Sequence, residues 1–220
     1  MLPSRAFQSL EGLVTYLPFH LDDSGRVNEV FSQWRNEGEV EHRRVVDLWT
    51  YCFIRRYFLI KFVQDPAYHS ADFDVLVDDV FKRAERGRPK LNSDAHYASW
   101  VSVICKNVYR NYLKRRRRIL SLDDPAQAAL SEELSIFPHD ASRVYSEMLA
   151  AIARLPTAIQ QVAKLRLLEG QSYVEIGEFT GKALPTLRSY MNKAVKKLRK
   201  DPRLLIFVFS DDGDKSETQL

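Results

Sequence analysis

Cysteine is scarce in this sequence, with two residues in 220, Cys52 and Cys105, each among apolar neighbours at helical spacing. Neither belongs to a Cys-x-x-Cys pair or has a histidine at zinc-ligand distance, so both read as buried thiols of a reducing compartment. Long apolar runs are also missing. No stretch approaches the roughly 18 apolar residues of a membrane span, and the first 19 residues lack the continuous apolar core of a signal peptide. The expectation is a cytoplasmic chain without membrane insertion. Histidine is sparse and scattered, at His20, His42, His69, His96 and His139. A nucleic-acid enzyme needs clustered carboxylates for a metal or a histidine beside a nucleophile. The acids of one helical segment are the only cluster, and their spacing places them on an outward surface without a pocket. No catalytic residue, no metal and no cofactor is therefore expected. The remaining balance, 45% hydrophobic and 28% charged, argues against wholesale disorder, collagen-like repeats and a coiled-coil rod. The length suits one large domain or two small ones.

Charge of one sign is in slight excess only, 33 Lys plus Arg against 29 Asp plus Glu, a net +4. What matters is where it sits. Lys114-Arg115-Arg116-Arg117-Arg118 is an uninterrupted basic run, and Lys182 to Arg203 holds eight cations against the single acid Asp201. Acids gather at Asp72, Asp74, Asp78 and Asp79, and again at Asp123, Asp124, Glu132, Glu133 and Asp140. Two basic patches in different halves point to two contacts with a polyanion.

Apolar periodicity predicts an all-α fold of two small helical domains joined by a flexible linker. Residues 1–44 carry Pro3, Gly12, Pro18, Gly25 and Gly38 among isolated apolar residues and read as an N-terminal extension with short helices and no core of its own. A helix with one buried face follows, carrying Val45, Leu48, Trp49, Cys52, Phe53, Tyr57, Ile60 and Phe62. A second runs from about Asp72 to Arg86 with Val75, Leu76, Val80 and Phe81 inward and its acids outward. A third carries Trp100, Val101, Ile104, Cys105, Val108, Tyr112 and Leu113 inward and ends in the basic run, which closes a first domain at 45–118. Residues 119–141 read as an acidic linker, because their apolar residues have no sustained period. The second domain, 142–200, has sharper punctuation. Leu155-Pro156 breaks one helix, Gly170 closes the next, and Ser172-Tyr173-Val174-Glu175 is a capping box. Ile176 and Phe179 face inward, Gly181 supplies a left-handed turn residue, and Pro185 opens a last helix with Leu187, Met191, Ala194, Val195 and Leu198 buried. The tail, 201–220, starts with the apolar run Leu204 to Phe209, which reads as folding onto that domain or, alternatively, as an intramolecular or partner-bound segment that regulates access to the last helix.

A short capped helix, a glycine turn and a longer basic helix form the pattern of a helix-turn-helix unit, whose second helix enters the DNA major groove. Pro185, Thr186, Arg188, Ser189 and Asn192 then fall toward base edges and Lys193, Lys196, Lys197, Arg199 and Lys200 toward phosphates, with Tyr190 counted among the residues at the DNA. Arg188 is the candidate for base readout, since its bidentate fork matches guanine. The first basic run continues a helix bearing Trp100, Asn107, Tyr109, Asn111 and Tyr112. Rings and amides beside cations suit an unstacked base.

Asp72-Phe73-Asp74-Val75-Leu76-Val77-Asp78-Asp79-Val80-Phe81, followed by Trp100-Val101 through Asn107 to Lys114-Arg115-Arg116, resembles the second conserved region of bacterial sigma factors. Leu155-Pro156, then Leu168-Glu169-Gly170-Gln171-Ser172-Tyr173-Val174-Glu175-Ile176-Gly177 through Thr186-Leu187-Arg188-Ser189, resembles their fourth region. Two regions with no domain between them are similar to the extracytoplasmic-function group. The resemblance implies a subunit that binds core RNA polymerase and takes it to promoter DNA, with an anti-sigma factor as a possible further partner. It assigns polymerase docking to Asp74, Asp78 and Asp79. It assigns the minus-ten element to Trp100, Asn107, Asn111, Lys114, Arg115, Arg116, Arg117 and Arg118, and the minus-thirty-five element to Arg188 and its neighbours. Val75 stands where the family usually has an acid, and Tyr190 where it often has Arg. The first 40 residues and the last 20 have no counterpart in the pattern. The alternative is a stand-alone helix-turn-helix regulator that does not bind polymerase, a reading that rests on Val75; such a protein has no need of the three acids together.

Overall fold

The computed structural model describes residues 10–64, 72–123 and 141–209, which form helices and short connections with no strand among the described residues. In chain order the helices are α1 (Leu10–Val14), α2 (Ser24–Glu37), α3 (Val40–Gln64), α4 (Phe73–Gly87), α5 (Tyr97–Asp123), α6 (Ala141–Ala153), α7 (Thr157–Ala163), α8 (Tyr173–Thr180), α9 (Leu184–Leu198) and α10 (Pro202–Phe209). The all-α class follows from the 3.6-residue repeat of the apolar positions. The chain divides into two compact units. The first is built mainly on α1, α2, α4, most of α3 and α5 up to Arg115, and the second mainly on α6 to α10.

In the first unit, α2 starts at Asp23, whose Oδ1 accepts the Arg26 amide at 3.0 Å, and stops at Gly38, whose left-handed φ of 73° turns its N–H onto Trp34 O. Both ends are thus satisfied locally. The helix buries Val27 and Phe31, and Phe31 stacks on Tyr97 with ring centroids 4.1 Å apart. Trp49 Nε1 donates to Leu21 O at 3.0 Å. Residues 10–44, read from sequence as an extension, therefore supply side chains to the core of this unit.

On α3, Cys52 to Phe62 are all buried, where one buried face was expected. Val46 is buried and Val45 and Leu48 are half-buried. The reason is composition: Ile54, Phe58 and Leu59 make this stretch apolar all round, and such a helix is covered all round. Its cations are handled individually, with Arg56 paired to Asp22. A buried polar knot ties α3 to α5. Arg88, just past α4, is 2% exposed. Its guanidinium pairs with Asp47, donates to Tyr97 Oη at 2.9 Å and to Thr50 Oγ1 at 3.2 Å. Thr50 and Tyr97 share a further hydrogen bond of 2.7 Å. Burial opposes the charge of Arg88, yet Tyr97 and Asp47 hold its pKa above the ordinary value.

On α4 the buried residues are Phe73, Leu76, Val77, Val80 and Ala84, a single helical stripe. This corrects the expectation for Val75, which is 66% exposed while its neighbour Val77 is buried at 3%. Three apolar residues in a row leave the inward face open to either choice, and packing against the core selects Leu76 and Val77. On α5 the buried set is Tyr97, Ala98, Val101, Cys105, Val108 and Tyr109, with Trp100, Ile104, Tyr112 and Leu113 half-buried. The helix runs on through the basic run to Asp123. The rest of the expected acidic linker, with Asp124, Glu132, Glu133 and Asp140, lies outside the described residues.

The second unit buries Val144, Met148, Ala151 and Ile152 of α6, and Val162 and Ala163 of α7. Past Ala163 the helix widens into a π turn over Lys164–Leu168, in which Leu165 and Leu167 are buried. Gly170, at φ +70°, follows it. The apolar run of the tail is helical as α10 and packs on α6 with Leu204 buried. Asp201 sets its start, accepting the Arg203 amide at 3.0 Å and the Arg154 guanidinium at 2.7 Å.

Candidate nucleic-acid interface

Each end of α8 is fixed by a local device. Ser172 Oγ accepts the Glu175 amide at 3.2 Å and Glu175 Oε2 accepts the Ser172 amide at 2.6 Å, so the capping box read from sequence is formed. Gly181 takes φ +65° and donates its N–H to Gly177 O at 2.8 Å. Gly177 also lets the chain close on itself, since a Cβ there would stand 3.2 Å from Lys182 O and 3.8 Å from Leu187 Cδ1. α9 opens without a capping hydroxyl at Ala183, and Pro185 lies in its first turn. Its buried face, Leu187, Met191, Ala194, Val195 and Leu198, packs on α7 and α8, whose own buried residues include Val162, Ala163 and Ile176.

The opposite face of α9 is free for a ligand. Pro185, Arg188, Ser189, Asn192, Lys193 and Lys196 line one open groove of about 500 Å³. Their spacing of three and four residues makes them a single stripe along the helix. Thr186, Tyr190 and Lys197 were expected in the same contact and instead lie on the flank beside it. Tyr190 is half-buried, with Lys193 Nζ 6.0 Å from its ring centroid. Phe179, expected inward, is 64% exposed, as is Val174 at 58%. α8 is eight residues long, so its buried face narrows to Ile176.

In the first unit, Asn107, Asn111, Lys114 and Arg115 are exposed and follow the half-buried Trp100 at helical intervals. From Trp100 to Lys114 this ridge spans about 21 Å at 1.5 Å per residue. Arg116 is half-buried, and Arg117 and Arg118 continue the helix. Tyr109 departs from the expected base-stacking set: it is buried, 6.3 Å from the Phe58 ring. Tyr112 is held by its hydroxyl, which donates to Asp72 Oδ2 at 2.9 Å. Beside Trp100 lies an open depression of about 580 Å³ whose wall includes Lys90, Asn92, Ser93, His96 and Ser99. All but Ser99 belong to the short connection between α4 and α5, which carries single turns of 3-10 helix at Arg88–Lys90 and Asp94–His96.

Asp74, Asp78 and Asp79 are half-buried on the solvent side of α4, and Asp79 accepts from Arg83 Nε at 2.9 Å. The exposed Val75 stands among them. Burial pushes the Cys52 thiol up to about 12 and raises that of Cys105 as well, so neither suits a nucleophile or metal ligand at neutral pH. Glu37, Glu39 and His42 bring their ligand atoms within 4.8 Å of one another. His42 Nδ1, half-buried at the α2–α3 turn, lies 3.6 Å from each of the two exposed carboxylates, and exposed acidic groups are common without a metal.

No protein-family model matches the chain. Individual relatives do. The chain is 27% identical over 127 residues to the ECF RNA polymerase sigma factor EcfG of Rhodopseudomonas palustris, covering 57% of this chain and 68% of that one. It is 26% identical over 145 residues to RNA polymerase sigma factor HrpL of Pseudomonas syringae, covering 64% and 79%. To the ECF sigma factor SigE of Mycolicibacterium smegmatis it is 30% identical over 138 residues, covering 58% and 51%. The chain, with its helix-turn-helix of α8 and α9, is thus similar over 56–64% of its length to proteins named as RNA polymerase sigma factors, most of them of the ECF type.

Proposed function

We propose that this chain joins core RNA polymerase and directs it to a promoter, with the two units taking different parts of the DNA. In this reading α9 enters the major groove of the minus-thirty-five element, Arg188 reads a base, and Lys193 and Lys196 contact phosphates on either side. The ridge of α5, from Trp100 through Asn107 and Asn111 to Lys114 and Arg115, holds the minus-ten element once its strands part. The depression beside Trp100 offers ammonium, amide, hydroxyl and imidazole groups, which suit the edge of an unstacked base. Asp74, Asp78 and Asp79 dock on a basic surface of the polymerase, where exposed Val75 adds an apolar contact. An inhibitory anti-sigma protein is a further partner in this reading, and exposed Val174 and Phe179 give it apolar surface.

The observation that carries the proposal is the stripe of six groove residues on α9, whose opposite face is wholly core. The test is open-complex formation by core polymerase reconstituted with the full chain. Charge reversal at Asp78 and Asp79 removes co-elution with polymerase while duplex binding persists, and Arg188→Ala weakens binding to the promoter duplex while co-elution persists.

A further inference from the structure

We propose that Gly87 is a positioning residue for Trp100: the missing side chain at the end of α4 sets how the indole is presented beside the depression. The proposal rests on the reading that Trp100 contacts melted promoter DNA.

A Cβ placed on Gly87 would stand 2.6 Å from Trp100 Cζ2 and 3.1 Å from Cη2, and its three nearest heavy atoms all belong to that indole. These are atoms of a rigid fused ring, so the ring must move as a whole. The glycine is not demanded by the backbone, because Gly87 sits at φ −87° and ψ −22°, a right-handed helical conformation that alanine adopts freely. Glycine at a helical position ordinarily lowers stability relative to alanine. What its absent side chain makes room for is the indole.

A second neighbour of the ring is held in place by its own bonds. Tyr97 lies 5.9 Å from Trp100 between centroids, and Tyr97 is itself held by Arg88, Thr50 and the stacked Phe31. The half-buried indole therefore neighbours both the bare backbone at Gly87 and the hydrogen-bonded Tyr97, and lines the depression together with Lys90, Asn92 and His96. A ring so supported meets an unstacked base without first losing rotamer freedom.

The test compares Gly87→Ala, Trp100→Ala, Trp100→Phe and the two double variants, each reconstituted with core polymerase. Promoter opening is followed by 2-aminopurine fluorescence in the minus-ten element, with co-elution as the assembly control. The tryptophans are also labelled with 5-fluorotryptophan, the Trp100 resonance being assigned by its loss in Trp100→Phe. Gly87→Ala is expected to shift the Trp100 resonance, leave those of Trp34 and Trp49 in place, keep or raise the melting temperature, and slow opening about 10- to 100-fold. It should cost nothing further in the Trp100→Ala background, and Trp100→Phe, with a smaller ring, should tolerate it. An unmoved Trp100 resonance, or the same loss from Gly87→Ala when Trp100 is absent, overturns the proposal. If Trp100→Ala opens promoters normally while the resonance still shifts in Gly87→Ala, the melting role of Trp100 falls and the functional half of the proposal falls with it.

Discussion

Arg188 and Lys196 share one stripe of α9 and one groove, yet their positions predict different losses on substitution. Eight residues separate them, about 12 Å along the axis, so a first-turn side chain reaching base edges leaves Lys196 level with the backbone. Arg188→Ala removes a bidentate contact and should cost about 1–3 kcal/mol at one base pair, roughly 5- to 150-fold. Affinity for random duplex stays nearly as it was. Lys196→Ala should weaken every duplex alike and flatten the slope of log affinity against log salt by about one. Both side chains are exposed, so neither change should move stability by more than about 0.5 kcal/mol. Fluorescence anisotropy on a promoter duplex and a scrambled one, across a salt series, separates the two outcomes. Equal losses on both duplexes for both variants would refute the assignment of α9 as a reading helix.

Replacing Arg88 by Met removes its bonds to Asp47, Thr50 and Tyr97, leaving Thr50 and Tyr97 bonded to each other and Asp47 with Arg43 at 3.7 Å, and should cost about 1–3 kcal/mol, read as a fall in thermal midpoint of the full chain. Ser172→Ala opens the capping box and should cost about 1 kcal/mol, with promoter binding reduced only as α8 frays. Burial opposes the ionisation of Asp201, but its bonds to Arg154 and the Arg203 amide outweigh this and hold its carboxyl below the usual range. A carboxyl depressed on folding contributes stability above its unfolded value, near pH 4, and loses it as pH falls toward the folded value. Asp201→Asn should therefore reduce the acid-side fall in stability, measured by denaturant unfolding from about pH 6 to pH 2.5. Cys52 and Cys105 should resist thiol reagents at pH 8 until the chain unfolds; rapid labelling of the native protein would contradict their burial.

The devices legible in the sequence were those that act within one turn. Ser172 and Glu175 cap each other three residues apart, Gly181 ends α8, and Pro185 opens α9, so the helix-turn-helix could be read with the residues of its groove in near-correct order. Where a side chain points needs a partner far away in the chain. Val75, Leu76 and Val77 look alike to any period, and Phe179 follows Ile176 at helical spacing, yet the cores take Val77 and leave Val75 and Phe179 outside. The residues before Val45 looked too interrupted to pack. They succeed because Phe31 finds Tyr97 and Leu21 finds Trp49, contacts between segments separated by 66 and 28 positions that no local pattern announces. The depression beside Trp100 has the same origin, since it exists where the end of α4, a polar loop and the start of α5 meet.

The central claim, that this chain takes polymerase to promoters through two separate contacts, is tested most directly by mixing the full chain with bacterial core RNA polymerase and assaying abortive transcription from genomic promoter fragments. The account predicts co-elution and promoter-dependent transcripts, lost on charge reversal at Asp78 and Asp79 and redirected or lost on Arg188→Ala. Duplex binding without co-elution would contradict it and move the chain to the stand-alone regulators.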